Sequence, residues 1–273
     1  MSIRVLSWNL YHGRDFPPNP RLFTWRSRLL GRSVANGTHV QVNRDLLEEF
    51  TDLLAGASWD VALLQEVPPR WSDSLCRACG AEGHGVLTSR NWLSPLRTLI
   101  AARNPDLIAS NEGGSNLTLV RGEIQERSEL ELRSGPRPER RVMAFTRAIP
   151  KGASAEVCIA NLHASSGRAN QALAEDEVLF AAVRASQWAD GTPLIFGGDL
   201  NLRPRDTVIF SELERRHGFS APSEAAALDH VLVRGLEVAA EPTPWPPELR
   251  EVEEDGLAIR LSDHAPVEGT FES

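Results

Sequence analysis

Six short segments of this chain carry Asn, Asp, Glu or His beside apolar runs: four of them end such a run, one lies on a run, and the last immediately precedes one. The segments are Ser7–Asn9, Leu64–Glu66, Asn161–His163, Gly198–Asn201, Leu228–His230 and Ser262–His264. Carboxylate and amide oxygens are ligands that hard divalent cations such as Mg²⁺ prefer, and histidine titrates near neutral pH. A metal ion combined with carboxylates and histidines can hydrolyse a phosphoester. The six segments together therefore predict a metal-assisted phosphoesterase.

Each of these residues also has a plainer explanation when it is taken alone. A glutamate after a strand, such as Glu66, is most often a surface residue. The pair Asp263-His264 is typical of a turn or a helix cap, and Asp229 in an apolar strand can be a hydrogen-bonded structural carboxylate. The prediction of a site therefore depends on the order and shared context of all six segments.

The elements that must position these residues are short apolar strands. The predicted strands are Ile3–Asn9, Asp60–Glu66, Asn116–Arg121, Val142–Thr146, Val157–Leu162, Pro193–Gly197, Leu228–Val233 and Val267–Phe271. Helices are predicted over Asn43–Ala55, about Arg168–Trp188 and Asp206–His217. Because strands and helices interleave along all 273 residues, we expect one mixed α/β domain over residues 1–273. In such domains, sites collect at strand ends and in the loops that follow them.

Composition limits the class of protein and of partner. Lys and Arg total 29 against 37 for Asp and Glu, so the net charge is −8, which disfavours tight sequence-blind binding of nucleic acid without excluding a basic groove. No apolar run reaches ~18 residues, and the first residues lack the apolar region of a signal peptide, so we expect a soluble, cytoplasmic protein without an integral membrane segment. Three cysteines, Cys76, Cys79 and Cys158, predict neither a disulfide framework nor a zinc site.

Two long stretches, 11–42 and 240–260, carry no clear element pattern, and long loops of this kind are usually functional or disordered. The first interleaves Phe16, Phe23 and Trp25 with five arginines, Arg14, Arg21, Arg26, Arg28 and Arg32. Aromatic and arginine side chains together can stack bases and pair phosphates, or can bind an anionic membrane surface. A solvated loop whose aromatic rings pack on the body is the alternative. The second stretch surrounds Trp245 with acidic residues, which repel polyanions.

In their order, the six segments resemble the endonuclease/exonuclease/phosphatase superfamily over residues 5–267, nearly the whole chain. That superfamily includes pancreatic-type deoxyribonuclease, abasic-site endonucleases, neutral sphingomyelinases and inositol polyphosphate 5-phosphatases. The resemblance implies an α/β four-layer sandwich, in which two mostly antiparallel β-sheets pack face to face and are flanked by helices. It also implies Mg²⁺- or Mn²⁺-dependent hydrolysis of a phosphoester.

The resemblance also implies roles for individual residues. Asn9 and Glu66 would help hold the metal, and Asp263 would contact the metal or the neighbouring histidine. Asp199 would orient or deprotonate the attacking water, and Asn201 would hold the phosphate.

The remaining implied roles surround the scissile phosphate. Asp229 would orient His264, which would bind this phosphate and stabilise its developing charge, and the division of labour between Asp199 and His264 stays open. His163 would be a second histidine at the phosphate, which can protonate the leaving oxygen. Arg141, in the stretch 137–141, would be the arginine on the phosphate side, with Arg140 a near equal.

Two departures narrow the branch of the superfamily. Abasic-site endonucleases use a tyrosine-containing segment, whereas the single tyrosine of this chain, Tyr11, lies in the first loop. His163 instead resembles the deoxyribonuclease and sphingomyelinase/phosphatase branch, although Leu162 stands where that branch usually has Thr.

The substrate is the least determined part of the prediction. Hydrolysis of a phosphodiester, in the manner of an endonuclease or exonuclease, is the leading expectation, and a lipid or small-molecule phosphoester is the alternative. A different class of function is a binding module that keeps the fold without turnover. Such a module is expected to have lost Glu66, Asp199, Asp263 or His264, and all four are present.

Overall fold

The computed structural model describes residues 2–88, 103–107, 114–134, 140–153 and 155–272. In chain order the strands are β1 (Ser2–Asn9), β2 (Val34–Ala35), β3 (Val40–Gln41), β4 (Val61–Val67), β5 (Glu82–Leu87), β6 (Ser115–Val120), β7 (Gly122–Ser134), β8 (Arg140–Pro150), β9 (Val157–His163), β10 (Leu194–Asp199), β11 (Asp229–Arg234), β12 (Glu237–Pro244), β13 (Glu251–Glu254), β14 (Leu257–Arg260) and β15 (Val267–Glu272). The α-helices are α1 (Trp25–Leu30), α2 (Leu47–Gly56), α3 (Ser72–Cys79), α4 (Gln171–Ala189) and α5 (Ile209–His217).

Two sheets form the body of the molecule. One has the strand order β12-β15-β1-β4-β6-β5, and the other has the order β11-β10-β9-β8-β7. Among these strands, β1 and β4 are parallel, as are β9 and β10, and the other neighbours are antiparallel. Each parallel pair needs a crossover connection, and α2 and α4 lie in these two connections.

The apolar residues divide into three main layers, which gives the predicted four-layer sandwich. Between the sheets, Val5 and Leu63 pack against Ile159 and Val231. On the outer face of the five-stranded sheet, the small residues of α4 pack on β9 and β10. On the outer face of the six-stranded sheet, α2 and α3 cover β1 and β4. The sequence expectation of two mostly antiparallel sheets flanked by helices is thus confirmed.

The strands that reach the site are buried because both of their faces are covered. All residues of β9 and β10 are buried, and β4 has one partly exposed residue, Glu66. On the outer face of β1, the Trp8 ring lies 5.0 Å from that of Phe50 on α2. Truncating such a buried aromatic residue, as in Phe50→Ala, costs about 3–5 kcal/mol. This packing fixes the strand ends that carry the polar residues.

The structure differs from the sequence prediction in several elements. The helix predicted over 43–55 begins at Leu47 and the one predicted over 206–217 begins at Ile209. The sequence reading missed α3, β5 and β7, and the 240–260 stretch contains the end of β12 and the β13–β14 hairpin instead of a structureless loop. The 11–42 stretch likewise contains α1 and the β2–β3 pair.

Cys76, Cys79 and Cys158 are free thiols. Among the described residues, no helix combines the length and the apolar character that crossing a bilayer requires.

Candidate active site

The predicted strand ends meet at one edge of the interface between the two sheets. Parallel pairing sets Asn9 beside Gln65 in the six-stranded sheet, and His163 beside Asp199 in the five-stranded sheet. Antiparallel pairing of β10 with β11 then sets Asp229 opposite Asp199. Because the two parallel pairs end at the same edge, side chains from both sheets line a single cleft.

Six titratable side chains contact one another in sequence across this cleft, and we call them the imidazole–carboxylate row. The successive distances are His12 Nε2 to Glu66 Oε2 3.2 Å, Glu66 Oε1 to His163 Nε2 3.8 Å, His163 Nε2 to Asp199 Oδ2 3.4 Å, Asp199 Oδ2 to His264 Nε2 3.9 Å, and His264 Nδ1 to Asp229 Oδ2 2.6 Å. Imidazoles and carboxylates alternate along the row. Such an arrangement can hold protons and charges at defined atoms.

His264 is held on both its backbone and its ring. Its carbonyl oxygen accepts hydrogen bonds from the Trp8 indole and from the Arg250 guanidinium, at 3.0 and 3.1 Å. Its Nδ1 contacts Asp229 at 2.6 Å. Burial alone would lower the pKa of His264, but the charges of Asp229 and Asp199 outweigh burial and raise this pKa well above its ordinary value. The ring is therefore an imidazolium at neutral pH.

His163 has the opposite protonation state. It is buried, and burial lowers its pKa to about 3, assisted by the positive charge of Arg141. The Glu66 carboxylate opposes this shift but lies 3.8 Å away. His163 is therefore neutral at pH 7 in the free protein, and one ring nitrogen can donate a hydrogen bond without carrying a charge.

Asp199 is buried, and its two oxygens have separate partners. Oδ2 accepts a hydrogen bond from Asn9 Nδ2 at 2.9 Å, and Oδ1 accepts one from the Asn201 backbone N–H at 3.1 Å. Burial raises the pKa of Asp199 to about 7, and the negative charge of Asp229 adds to the increase. The Asn201 amide donates to the Ala164 carbonyl at 3.1 Å, so this side chain links the loops after β9 and β10.

Glu66 lies where β4 ends, with its backbone in the left-handed region at φ 51°. Burial raises the pKa of Glu66, but the imidazoles of His12, His163 and His264 reverse this and leave it below the ordinary value. The Asn9 side chain also forms a hydrogen bond with Glu66, and its Oδ1 accepts the Tyr11 backbone N–H at 2.9 Å. Asn9 therefore connects Glu66 to Asp199 through its amide.

A divalent cation fits the donor set around Glu66. Negative charge is concentrated there: burial is the main cause of the raised pKa of Asp199 and of Asp263, and the charge of Glu66 adds to both increases. Glu66 and Asp263 are partly or fully exposed, so a cation bound to their oxygens keeps water ligands, as Mg²⁺ requires. Asp199, Asp229 and His264 also place ligand atoms within 4.8 Å of one another, but His264 Nδ1 and Asp229 already contact each other as an acid–base pair.

Arg140 and Arg141 were near-equal candidates for the arginine on the phosphate side, and their surroundings in the structure differ. Arg140 pairs with Glu131 on the neighbouring strand β7. Arg141 acts electrostatically on His163. Residues 137–139 of the same stretch lie outside the described residues.

Several site residues were missed by the sequence reading. His12 contacts Glu66 only because Tyr11 and His12 both adopt left-handed backbone, at φ 50° and 55°. Gly13 was the available signal, since a Cβ there would collide with the Trp71 ring. Ser262 lies in one of the six segments, but the sequence assigned it no role: its Oγ donates to the Asn9 carbonyl at 2.6 Å and accepts the His264 N–H at 3.1 Å.

A pair of buried amides from two of the six segments, to which the sequence assigned no role, joins the two sheets beneath the site. Gln65 Nε2 donates to Asn161 Oδ1 at 2.8 Å, and Asn161 Nδ2 donates to the Leu64 carbonyl at 3.2 Å. In addition, Glu177 on α4 accepts hydrogen bonds from Ser165 N and Oγ, at 2.7 and 2.9 Å, and fixes the loop after His163.

The sequence profile of the Endonuclease/Exonuclease/phosphatase family matches residues 6–264. The chain belongs to this family. Its members are metal-dependent phosphoesterases and nucleases, which supports assignment of the chain to the hydrolases that act on phosphoester bonds. No curated protein shows significant sequence similarity to it.

Solved structures with the same fold are distant in sequence. The catalytic domain of human Nocturnin with bound sulfate is 16% identical, with a TM-score of 0.63 over 99% of this chain and 94% of that chain. Truncated TDP2 from Caenorhabditis elegans is 14% identical, with a TM-score of 0.60 over 100% and 98% of the two chains. Mannosyl-6-phosphatase from Bacteroides thetaiotaomicron is 13% identical, with a TM-score of 0.61 over 99% and 100%. These similarities show the fold.

Proposed function

We propose that this protein is a Mg²⁺- or Mn²⁺-dependent phosphodiesterase that cleaves its substrate by attack of water. The observation that carries the proposal is the imidazole–carboxylate row, which joins ends of both sheets at 2.6–3.9 Å. Its members hold different protonation states in one cleft, as acid–base and electrostatic catalysis requires. We further propose that residues 1–273 act as one domain, since both sheets supply this site.

Glu66 and Asp263 hold the metal in this proposal. Both carboxylates are accessible from the cleft, and Asn9 fixes Glu66 through a hydrogen bond while its own oxygen faces the Tyr11 N–H. When bound, the cation supplies charge neutralisation at the phosphate and lowers the pKa of a bound water. Asn9 therefore supports the metal site by orienting Glu66.

Asp199 orients the attacking water and accepts its proton. Burial raises its pKa to about 7, which is close to the value that suits a general base at neutral pH. The Asn201 N–H holds one Asp199 oxygen in place, and the Asn201 side chain fixes the loop beside the phosphate. In this assignment Asp199 is the base, and His264 has the electrostatic role.

The charged and neutral histidines contact the phosphate from two sides. His264, kept as an imidazolium by Asp229, stabilises negative charge that develops on the non-bridging oxygens. His163 donates a hydrogen bond from a neutral ring, and Arg141 adds positive charge beside it. A bound phosphate adds negative charge near His163, and this charge raises the pKa of the His163 ring. His163 can then be protonated and donate a proton to the leaving oxygen.

Nucleic acid is the leading substrate class, and a lipid or small-molecule phosphoester is the alternative. Family membership supports both classes, and mannosyl-6-phosphatase shares the fold while its name indicates a sugar phosphate. The residues of the site therefore support the reaction more strongly than they support any one substrate.

The test is hydrolysis of bis-p-nitrophenyl phosphate by the purified protein in EDTA, Mg²⁺ and Mn²⁺. We expect metal-dependent release of nitrophenol that Asp199→Asn reduces by about 10³-fold, with circular dichroism unchanged. Asp206→Asn, an exposed aspartate of the 3-10 turn Pro204–Asp206, is the matched control. Equal rates in EDTA and in either metal would refute the proposal. Single- and double-stranded nucleic acid and sphingomyelin in the same assay then rank the substrate classes.

A further inference from the structure

The segment around α1 exposes large apolar side chains in a chain whose apolar residues are otherwise mostly buried. Trp25, Leu29 and Leu30 are 68%, 57% and 59% exposed, and Phe23 is 37% exposed. Trp25 and Leu29 are four residues apart, so they share one face of the helix. Scattered single residues of this kind need no explanation, whereas a contiguous exposed apolar patch marks an interaction site.

This exposure is imposed by contacts on the opposite side of α1. Thr24 and Ser27 form a capping box at the helix start, and the buried Ser27 accepts a hydrogen bond at its carbonyl from Asn43. The Arg28 carbonyl accepts another from Asn104 at 2.8 Å. The backbone is thus attached to the body on one side, and the apolar side chains on the other side are held in solvent.

The same segment is the positive part of an acidic protein. Residues 16–43 contain four arginines and no Asp, Glu or Lys, whereas the whole chain has a net charge of −8. Arg21, Arg28 and Arg32 are exposed. Arg28 Nε donates to the Asp106 carbonyl at 2.8 Å and its charge acts on the Asp106 carboxyl, whereas Arg21 and Arg32 form no salt bridge with a carboxylate among the described residues. The patch therefore complements an anionic partner.

We propose that this patch docks the protein on anionic lipid membranes. The membrane-docking surface consists of Phe23, Trp25, Leu29 and Leu30, with Arg21, Arg28 and Arg32 around them. Trp and Leu insert at the boundary between headgroups and acyl chains, and arginines near an anionic leaflet add electrostatic attraction. A nucleic acid would use the aromatic rings and arginines but gains little from the two exposed leucines.

The membrane-docking surface lies next to the proposed active site. A cavity of about 520 Å³ is lined by Phe23, Trp25 and Arg28 on the side of α1, and by Tyr11 and Arg14 on the side of the cleft. The Tyr11 N–H is the group that orients Asn9. If the proposed function holds, docking brings lipid phosphoesters to the cleft. The docking itself does not depend on catalysis.

The test is co-sedimentation of the protein in EDTA with vesicles of phosphatidylcholine, alone or mixed with phosphatidylserine. We expect the wild type to sediment with the mixed vesicles, less so as salt increases. The triple variant Trp25→Ser/Leu29→Ser/Leu30→Ser and the double variant Arg21→Glu/Arg32→Glu should each reduce the bound fraction at least about tenfold. Phe180→Ser and Arg184→Glu, exposed residues on α4, are the matched controls and should bind as the wild type does.

Three outcomes overturn the docking proposal. The first is a wild type that ignores anionic vesicles, and the second is a triple variant that binds them as well as the wild type. The third is a patch-dependent association with a different partner in place of vesicles, either a single-stranded oligonucleotide by fluorescence anisotropy or a second copy of the chain by light scattering. Hydrolysis of bis-p-nitrophenyl phosphate by the same variants, which we expect to be unchanged, separates failure of docking from failure of the phosphodiesterase.

Discussion

On the side of the six-stranded sheet, His12 and Glu66 lie partly exposed on left-handed backbone that follows a strand. On the side of the five-stranded sheet, His163, Asp199 and Asp229 are buried on regular strands. We call these the open wall and the buried wall. Both walls use imidazoles and carboxylates. Burial shifts the pKa of His163 and Asp199 strongly, whereas accessible oxygens on the open wall suit a hydrated cation.

The largest expected effect on the hydrolysis rate comes from removing the positive charge of His264, which Asp229 on the buried wall stabilises. His264→Ala should lower the hydrolysis rate by about 10³–10⁴-fold, because the imidazolium held by Asp229 is lost. The rate on bis-p-nitrophenyl phosphate, with circular dichroism alongside, measures this. His217→Ala, on α5, is the matched control. A folded His264→Ala protein within twofold of wild type would contradict the assignment.

A substitution on the open wall should weaken metal binding. Glu66→Gln keeps the shape of the side chain but removes its charge, so the rate should fall by about 10²-fold and recover partly as metal concentration increases. Titration of the rate against Mg²⁺ and Mn²⁺ measures both effects, with Glu48→Gln on α2 as the control. A loss that no metal concentration relieves would mean that Glu66 serves the chemistry instead of the cation.

Asp229→Asn tests the role of the buried wall through the pH dependence of the rate. The charge of Asp229 raises the pKa of His264, so the neutral amide should lower that pKa. If the imidazolium is the active form, activity falls as pH rises through the pKa of His264, and in the variant this fall should begin at lower pH. We expect a rate about 10- to 10²-fold lower at neutral pH, measured as a pH–rate profile. An unshifted profile would show that Asp229 acts only on packing.

His12→Ala should have a smaller effect that is confined to the open wall. His12 Nε2 lies 3.2 Å from Glu66, so its loss frees the carboxylate and removes a neighbouring nitrogen. We expect the affinity for Mn²⁺ to change by about 3- to 10-fold, measured by calorimetry without substrate, with a rate close to wild type at saturating metal. A large loss of rate at saturating metal would show that His12 takes part in catalysis and does not act only on metal binding.

The smallest effect on activity is expected for Asp15→Asn, behind the open wall. Burial raises the pKa of Asp15 to about 8, against about 3.9 in an unfolded chain. The folded state therefore binds the extra proton, and the wild type should lose stability as pH rises from about 4 to about 8. The amide does not titrate and can still accept the Val42 N–H, so its free energy of unfolding should fall less over this range, by about 2 kcal/mol or more. Denaturant unfolding at both ends of the range tests this, and equal pH dependence would contradict it.

Much of the fold and the location of the site could be predicted from the sequence because apolar strands end abruptly in polar residues. That pattern locates Asn9, Glu66 and Asp199 at strand ends without any knowledge of pairing. It failed for β7, Gly122–Ser134, whose charged and apolar residues alternate at the edge of a sheet. Charged side chains are common on edge strands, so a search for apolar runs does not detect such a strand.

The parts of the site that could not be predicted depend on backbone conformation and on contacts between sheets. His12 reaches Glu66 through two consecutive left-handed residues, a conformation that no residue type in this loop except Gly13 signals. The opposite protonation states of His163 and His264 depend on burial and on which carboxylate lies nearest, and both are tertiary properties.

The amide pair formed by Gln65 and Asn161 has a consequence for the order of assembly. These side chains bond across the sheet interface directly beneath the cleft, and a Cβ at Gly198 would come within 3.1 Å of the Gln65 amide. The six-stranded sheet combines strands from both ends of the chain, and the five-stranded sheet comes from the stretch between them, so neither sheet alone contains a complete site. Hydrolytic activity therefore reports the docking of one sheet on the other, and in a refolding experiment we expect it to return no earlier than the secondary structure.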